Sequence, residues 1–156
     1  MRVDSLTIPY TSAISIQPAT WRDMGAFRQM EKLCFPMDAW SVLDIAAALT
    51  FPNTVRLKAV KDEAPVGFIV GDRRPSQNMA WIATLGVHPG HRRRGVGSAL
   101  LYECEDLLDS PRIRLSVRIS NESAIRLYKH WGYQVVGTWP RYYNGGENAL
   151  VMEKVF

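Results

Sequence analysis

The chain has 156 residues, 47% of them hydrophobic and 22% charged, with no low-complexity tract. One domain of that size buries roughly 70% of its extended surface, so disordered and fibrous classes are excluded. Nineteen basic against 15 acidic side chains leave a formal charge of +4, a modest excess that fits an anionic ligand or nothing specific and is too weak to argue for nucleic acid.

The first dozen residues, Met1 to Ser12, carry Arg2 and Asp4 and are broken by Pro9, so they lack the core of a secretion signal. The reading is a loose tail over 1–12 and one domain over 13–156. The longest apolar run, near Ile45 to Leu49, is too short to span a bilayer, and no membrane association is expected. Cys34 and Cys104 lie far apart without CxxC spacing, which reads as two reduced core thiols, no metal site and a cytoplasmic location.

Along the chain, Ala13 to Gln17 reads as a strand. Thr20 with Asp23 caps a helix bearing Met24, Phe27, Met30 and Cys34, and Ser41 with Asp44 caps a second one bearing Val42, Ile45, Ala46 and Leu49. Phe35 to Trp40 connects them. Period-two patterning over Thr54–Val87 predicts three strands in an antiparallel meander. A helix from Gly95 carries Val96, Leu100, Cys104 and Leu107, a strand follows over Ile113–Val117, and a further helix with Ala124, Leu127, Tyr128 and Trp131 stops at Gly132. Two strands, Tyr133–Trp139 and Glu147–Val155, end the chain. The order βααβββαβαββ predicts an α/β domain with a mixed, mostly antiparallel sheet and helices on both faces.

Leu85-Gly86-Val87-His88-Pro89-Gly90-His91-Arg92-Arg93-Arg94-Gly95-Val96-Gly97-Ser98 joins a strand to a helix. Glycines let backbone approach a phosphate, first-turn amides point at it, and arginines add charge-assisted hydrogen bonds. A pyrophosphate is the ligand these parts suit. From composition alone, a glycine-rich turn with a solvated basic run accounts for the stretch equally well. It is no Walker A loop, because no Lys-Ser/Thr follows its second glycine, and it lacks the first glycine of the dinucleotide fingerprint.

At Arg92, Gly95 and Gly97 the chain resembles the GNAT superfamily of N-acetyltransferases, whose loop reads Gln/Arg-x-x-Gly-x-Gly/Ala. Leu115 to Tyr133 is similar to the V-x-x-S-N-x-x-A-x-x-x-Y-x-x-x-G-F/Y segment of protein N-terminal acetyltransferases, both the bacterial ribosomal-protein alanine type and the archaeal and eukaryotic types. The resemblance runs from about Ile14 to Lys154. It implies acetyl-CoA as cosubstrate and no metal. The cofactor would be held by Leu85, Gly86 and Val87, by Arg92, Arg93, Arg94, Gly95, Val96, Gly97 and Ser98, and by Asn121. Phe35, with Pro36 and Trp40-Ser41, resembles the bacterial members' loop between the first two helices, and Tyr142 and Tyr143 resemble tyrosines flanking a peptide entrance; these would touch the acceptor.

The same resemblance implies that Tyr128 protonates the departing thiolate, although by composition alone a packed aromatic beside Leu127 and Trp131 is the more ordinary reading. The family's general base is missing. Ser116 stands where bacterial members have glutamate and some eukaryotic members histidine, and Trp81 where some eukaryotic members have tyrosine. Water held by Ser116 or Thr84, or a carboxylate such as Glu147, are the substitutes at hand. An α-amine with a reference pKa near 8 is ~10% neutral at pH 7, whereas a lysine near 10.4 is under about 0.1% neutral, so a site with a weak base favours N-termini.

The implied partner is the N-terminus of a protein or peptide. A small-molecule amine such as a polyamine or amino sugar is the alternative, for which an acidic cluster should line the acceptor cleft; none is visible in the sequence. A non-catalytic CoA-binding module is the third reading, and monomer and homodimer remain equally open. Arg112, Arg114 and Arg118 alternate on one strand without interleaved aromatics, so no nucleic-acid partner is expected.

Overall fold

The structure, a computed structural model, describes residues 14–156. The expected tail, and Ala13 at the start of the first strand, lie outside them. Seven strands form one sheet in the order β1-β2-β3-β4-β5-β7-β6: β1 (Ser15–Pro18), β2 (Thr54–Lys61), β3 (Ala64–Arg74), β4 (Met79–Val87), β5 (Arg112–Arg118), β6 (Gln134–Trp139) and β7 (Ala149–Val155). Four helices complete the expected order: α1 (Met24–Cys34), α2 (Val42–Thr50), α3 (Val96–Leu108) and α4 (Glu122–His130).

Both sequence-read capping boxes are present. Ser41 and Asp44 cap α2. Thr20 and Asp23 cap a single 3-10 turn, Trp21–Asp23, that leads into α1. On one face of the sheet α3 packs Val96, Leu100, Cys104 and Leu108 onto Ile69, Ile82 and Leu115. Leu107, assigned to that stripe by spacing, is 47% exposed; the four-residue steps 96, 100, 104 carry the stripe to Leu108 instead. Gly71 brings α3 close, since a Cβ there would stand 2.9 Å from the Cys104 sulfur. Truncating fully buried Leu100 would cost about 2–5 kcal/mol. On the opposite face α1 and α2 set Phe27, Met30, Ile45 and Leu49 against Phe68 and Val70.

The join that matters for function is between β4 and β5. These strands run parallel and pair only at Ala80–Ile113 and Trp81–Arg114. Beyond that point they separate. On its other side β4 slips register against β3, because Val70 faces Thr84 while Gly71 faces Ile82, leaving Ala83 as the extra residue. A bulge of this kind bends the strand, and the resulting notch opens between the ends of β4 and β5 beside the start of α3.

Candidate active site

A cavity of about 980 Å³ occupies the notch. At one end, after a 3-10 turn at Pro89–His91, the chain passes through Arg93 at φ +62° and enters α3 from Gly95 at φ +80°. Left-handed backbone at the second of these is why a glycine stands there. The helices differ in their starts: Ser41 caps α2 and Asn121 caps α4 with a side chain, whereas Gly95 offers α3 none. Among the described residues, the first-turn amides of α3, at Val96, Gly97 and Ser98, therefore have no intrahelical or side-chain acceptor, an arrangement that suits an anion.

Of the residues assigned to a cofactor, Leu85, Gly86, Val87, Arg92, Arg93, Gly95, Val96, Gly97, Ser98 and Asn121 line the cavity, and Arg94 does not. Several also have structural duties. Arg92 folds back and donates from Nε to the Val87 carbonyl at 3.0 Å. Ser98 Oγ accepts from the Trp131 indole at 3.0 Å. A Cβ at Gly97 would stand 3.3 Å from Leu127, so this glycine also lets α3 and α4 approach. Asn121 directly precedes α4 as its cap, and its Oδ1 accepts from the Ala124 amide at 3.3 Å. Arg126 and His130, neither of them assigned to the site from the sequence, also line the cavity; two basic residues four apart on one helix were the available signal.

Tyr128 lies on the last turn of α4, is 7% exposed and lines the cavity. Burial, and then the neighbouring Tyr143, push its phenol well above the ordinary tyrosine value. That keeps the proton on the oxygen at neutral and mildly alkaline pH.

The other end is walled by Phe35 to Asp38 and by Arg118, Ser120 and Glu147. Arg118 donates to Asp38 at 2.7 Å, to Glu147 at 2.6 Å and to the Asn144 carbonyl at 2.8 Å. Asn144 in turn donates from Nδ2 to the Met37 carbonyl at 2.6 Å. The α1–α2 and β6–β7 connections are thus joined across this end. The fold brings two carboxylates together, Asp38 and Glu147, where the sequence showed no acidic cluster; the guanidinium between them leaves a formal charge of −1.

Tyr142 and Tyr143 do not line the cavity. Tyr142 is 55% exposed and packs on Trp139 and Tyr143. Tyr143 donates to Ser116 Oγ at 3.3 Å, and its ring covers the Arg118 guanidinium at 4.9 Å. Trp81 stacks on Trp139 with ring centres 5.7 Å apart. Its Nε1 is buried with no hydrogen-bond partner among the described residues. Thr84 gives its hydroxyl proton to Glu31 at 2.8 Å. Glu147 is held below the usual carboxylate range by its bonds from Ser120 and Arg118, which makes it a weak proton acceptor.

Cys104 fits the core reading: it is fully buried, and burial pushes its thiol up to about 12. Cys34 fits it in part. Half-buried, it packs against the core cluster of α1 and α2, but it also lines the cavity and donates to the Val87 carbonyl at 3.3 Å. As the last residue of α1 it reaches across to β4, where Gly86 leaves room for its sulfur.

The profile of the Acetyltransferase (GNAT) family matches residues 23–133, and the chain belongs to that family. The domain's class of chemistry is N-acetyl transfer from acetyl-CoA. An uncharacterized N-acetyltransferase of Methanocaldococcus jannaschii is 30% identical over 85% of this chain and 86% of its own length. An uncharacterized Mycobacterium leprae protein is 43% identical over 47% of this chain, but that stretch is only 21% of the relative. The N-alpha-acetyltransferase RimI of Mycobacterium tuberculosis is 38% identical over 47% of this chain and 47% of its own length. Among solved structures, the ribosomal-protein-S18-alanine N-acetyltransferase of Escherichia coli superposes with a TM-score of 0.82 at 24% identity over 91% of this chain and 93% of its own, which shows the fold. Arabidopsis thaliana Naa50 in complex with the bisubstrate analogue CoA-Ac-MVNAL gives 0.80 at 25% identity over 92% and 99%.

Proposed function

We propose that this domain acetylates the N-terminal α-amine of a protein or peptide. The observation that carries this reading is the joining of the two acceptor connections through Arg118 and Asn144. A roofed acceptor end admits the tip of a chain more readily than a side chain standing on a folded surface. The names of N-alpha-acetyltransferase relatives support the same reading.

The site fits acetyl-CoA by its donor set: uncapped first-turn amides on α3, with Arg93 and Arg126 beside them. When bound, acetyl-CoA supplies a thioester already activated toward an amine. The chain's own residues then have four tasks. The α3 amides would hold the diphosphate, the end of β4 would align the arm, and Tyr128 would give its proton to the departing sulfur and regain one, through solvent, from the proton that the amine nitrogen releases. The backbone near Val87 offers an amide to the carbonyl oxygen as it gains charge. With Ser116 engaged by Tyr143 and Glu147 by Arg118, no strong base faces the acceptor among the described residues. The site therefore depends on the fraction of amine already neutral, which favours an α-amine over lysine.

Asp38 and Glu147 give the small-amine alternative a specific footing, since a polyamine would seek that pair. Coenzyme A release measured across free-N-terminal peptides, their N-blocked lysine-containing counterparts and polyamines separates the readings. Turnover confined to free N-termini is expected. Turnover with polyamines alone would replace the proposal, and cofactor binding without turnover on any acceptor would leave a regulatory module.

A further inference from the structure

Glu31 is 4% exposed, one of the few buried charged side chains among the described residues, and nothing in the chemistry above uses it. It sits on the last turn of α1. Its backbone carbonyl accepts from the Phe35 amide at 2.8 Å. Its carboxylate accepts from the Trp40 amide at 3.3 Å and from the Thr84 hydroxyl at 2.8 Å. One residue thus ties both ends of the 35–40 connection, and ties it to β4 directly before Leu85. Trp40 is further held by its ring against Phe27, 6.1 Å between centres.

Burying a carboxylate is costly, and an apolar side chain of like volume would serve stability as well or better. Such a side chain would nevertheless leave the Trp40 amide and Thr84 hydroxyl unmatched at the two points that fix the connection. Four residues of that connection, Phe35 to Asp38, wall the acceptor end, and Leu85 to Val87 wall the cofactor end. We infer that Glu31 is a positioning residue that sets the acceptor wall at a fixed height over the cofactor strand, and so governs acceptor capture. This rests on the reading of Phe35 to Asp38 as the acceptor wall.

The test uses the full chain with Glu31→Leu, which keeps bulk and removes both acceptor oxygens, and Glu31→Gln, whose amide can donate to Thr84 and accept from Trp40. Three quantities are read: the KM for the best peptide of the acceptor panel, the Kd for acetyl-CoA, and amide hydrogen exchange over 36–40. For Glu31→Leu the expected result is a peptide KM raised about tenfold, an acetyl-CoA Kd changed less than about twofold, and exchange over 36–40 quickened about tenfold with α3 unchanged. Glu31→Gln should restore all three to within about threefold of the parent. If Glu31→Leu does not fold, Thr84→Val removes one of the two ties and should shift KM and exchange in the same direction by a smaller factor. Unchanged KM and exchange would overturn the inference, as would acetyl-CoA affinity falling in step with peptide affinity. Should the parent acetylate no acceptor, the proposed function falls, while exchange over 36–40 still decides whether Glu31 holds the connection.

Discussion

Arg118 and Asp38 stand 80 positions apart in the chain, and their side chains meet at 2.7 Å. The pair links the end of β5 to the α1–α2 connection, and Glu147, bonded to the same guanidinium at 2.6 Å, brings in the approach to β7. Their side chains are 19% to 24% exposed. A lone surface ion pair is worth at most about 1 kcal/mol, but one cation serving three segments is a shared joint. Arg118→Ala should raise the acceptor KM about tenfold and leave the acetyl-CoA Kd within about twofold. Steady-state kinetics with separate calorimetry checks this, and a Kd that rises with KM would show that the joint supports the whole cavity.

Gly95 carries the cofactor claim. Its φ of +80° places it where a side chain is strained, and it starts α3 without a side-chain cap. Gly95→Asp adds a carboxylate that would cap those amides and repel a diphosphate. Acetyl-CoA affinity should fall by about 100-fold or more, combining backbone strain with charge repulsion. Unchanged affinity in a folded variant would remove the loop from cofactor binding.

The strand and helix order was legible because the periods of Val55, Leu57 and Ala59 and of Val96, Leu100 and Cys104 are local. The approach to Gly95 was legible too, since a glycine followed by an uncapped helix is a short-range signal. The joints were not. Arg118 looked like one of three alternating arginines on a strand, yet Arg112 and Arg114 pair with Glu153 on β7 and Arg118 alone reaches the cavity wall. Glu31 meets Thr84 across 53 positions, a pairing that only the packing of α1 on β4 creates. Leu107 was misplaced, and the cavity side of Cys34 missed, for the same reason: spacing says which residues share a stripe but not where the stripe meets another element.

Tyr128 should govern rate rather than binding. Tyr128→Phe is expected to lower kcat by ~10²-fold with acetyl-CoA affinity kept. Because burial raises this phenol above its ordinary value near 10, the group stays protonated as pH climbs. The rate should therefore rise with pH as the acceptor amine loses its proton, level off above about pH 8, and show no descending limb below about pH 10. A fall beginning near pH 8 would assign the proton donor to a more acidic group.

The two cysteines should behave differently toward a thiol reagent. Cys104, fully buried and pushed up to about 12, should be labelled only on unfolding. Cys34 is half-buried and is itself raised by burial, so it should react slowly, at a rate set by its thiolate fraction. Because it lines the cavity beside Gly86, saturating acetyl-CoA should slow its labelling about tenfold or more if the arm lies along β4. Mass spectrometry of the labelled peptides reads both. Equal labelling of Cys34 with and without cofactor would place the arm elsewhere.

The most direct measurement is a crystal structure with a coenzyme A–peptide bisubstrate conjugate. The account predicts the diphosphate against the amides of Val96 to Ser98, the sulfur near the Tyr128 hydroxyl, and the peptide leaving between Phe35–Asp38 and the Asn144–Glu147 connection. A diphosphate bound away from Gly95, or a peptide entering without touching either connection, would contradict it.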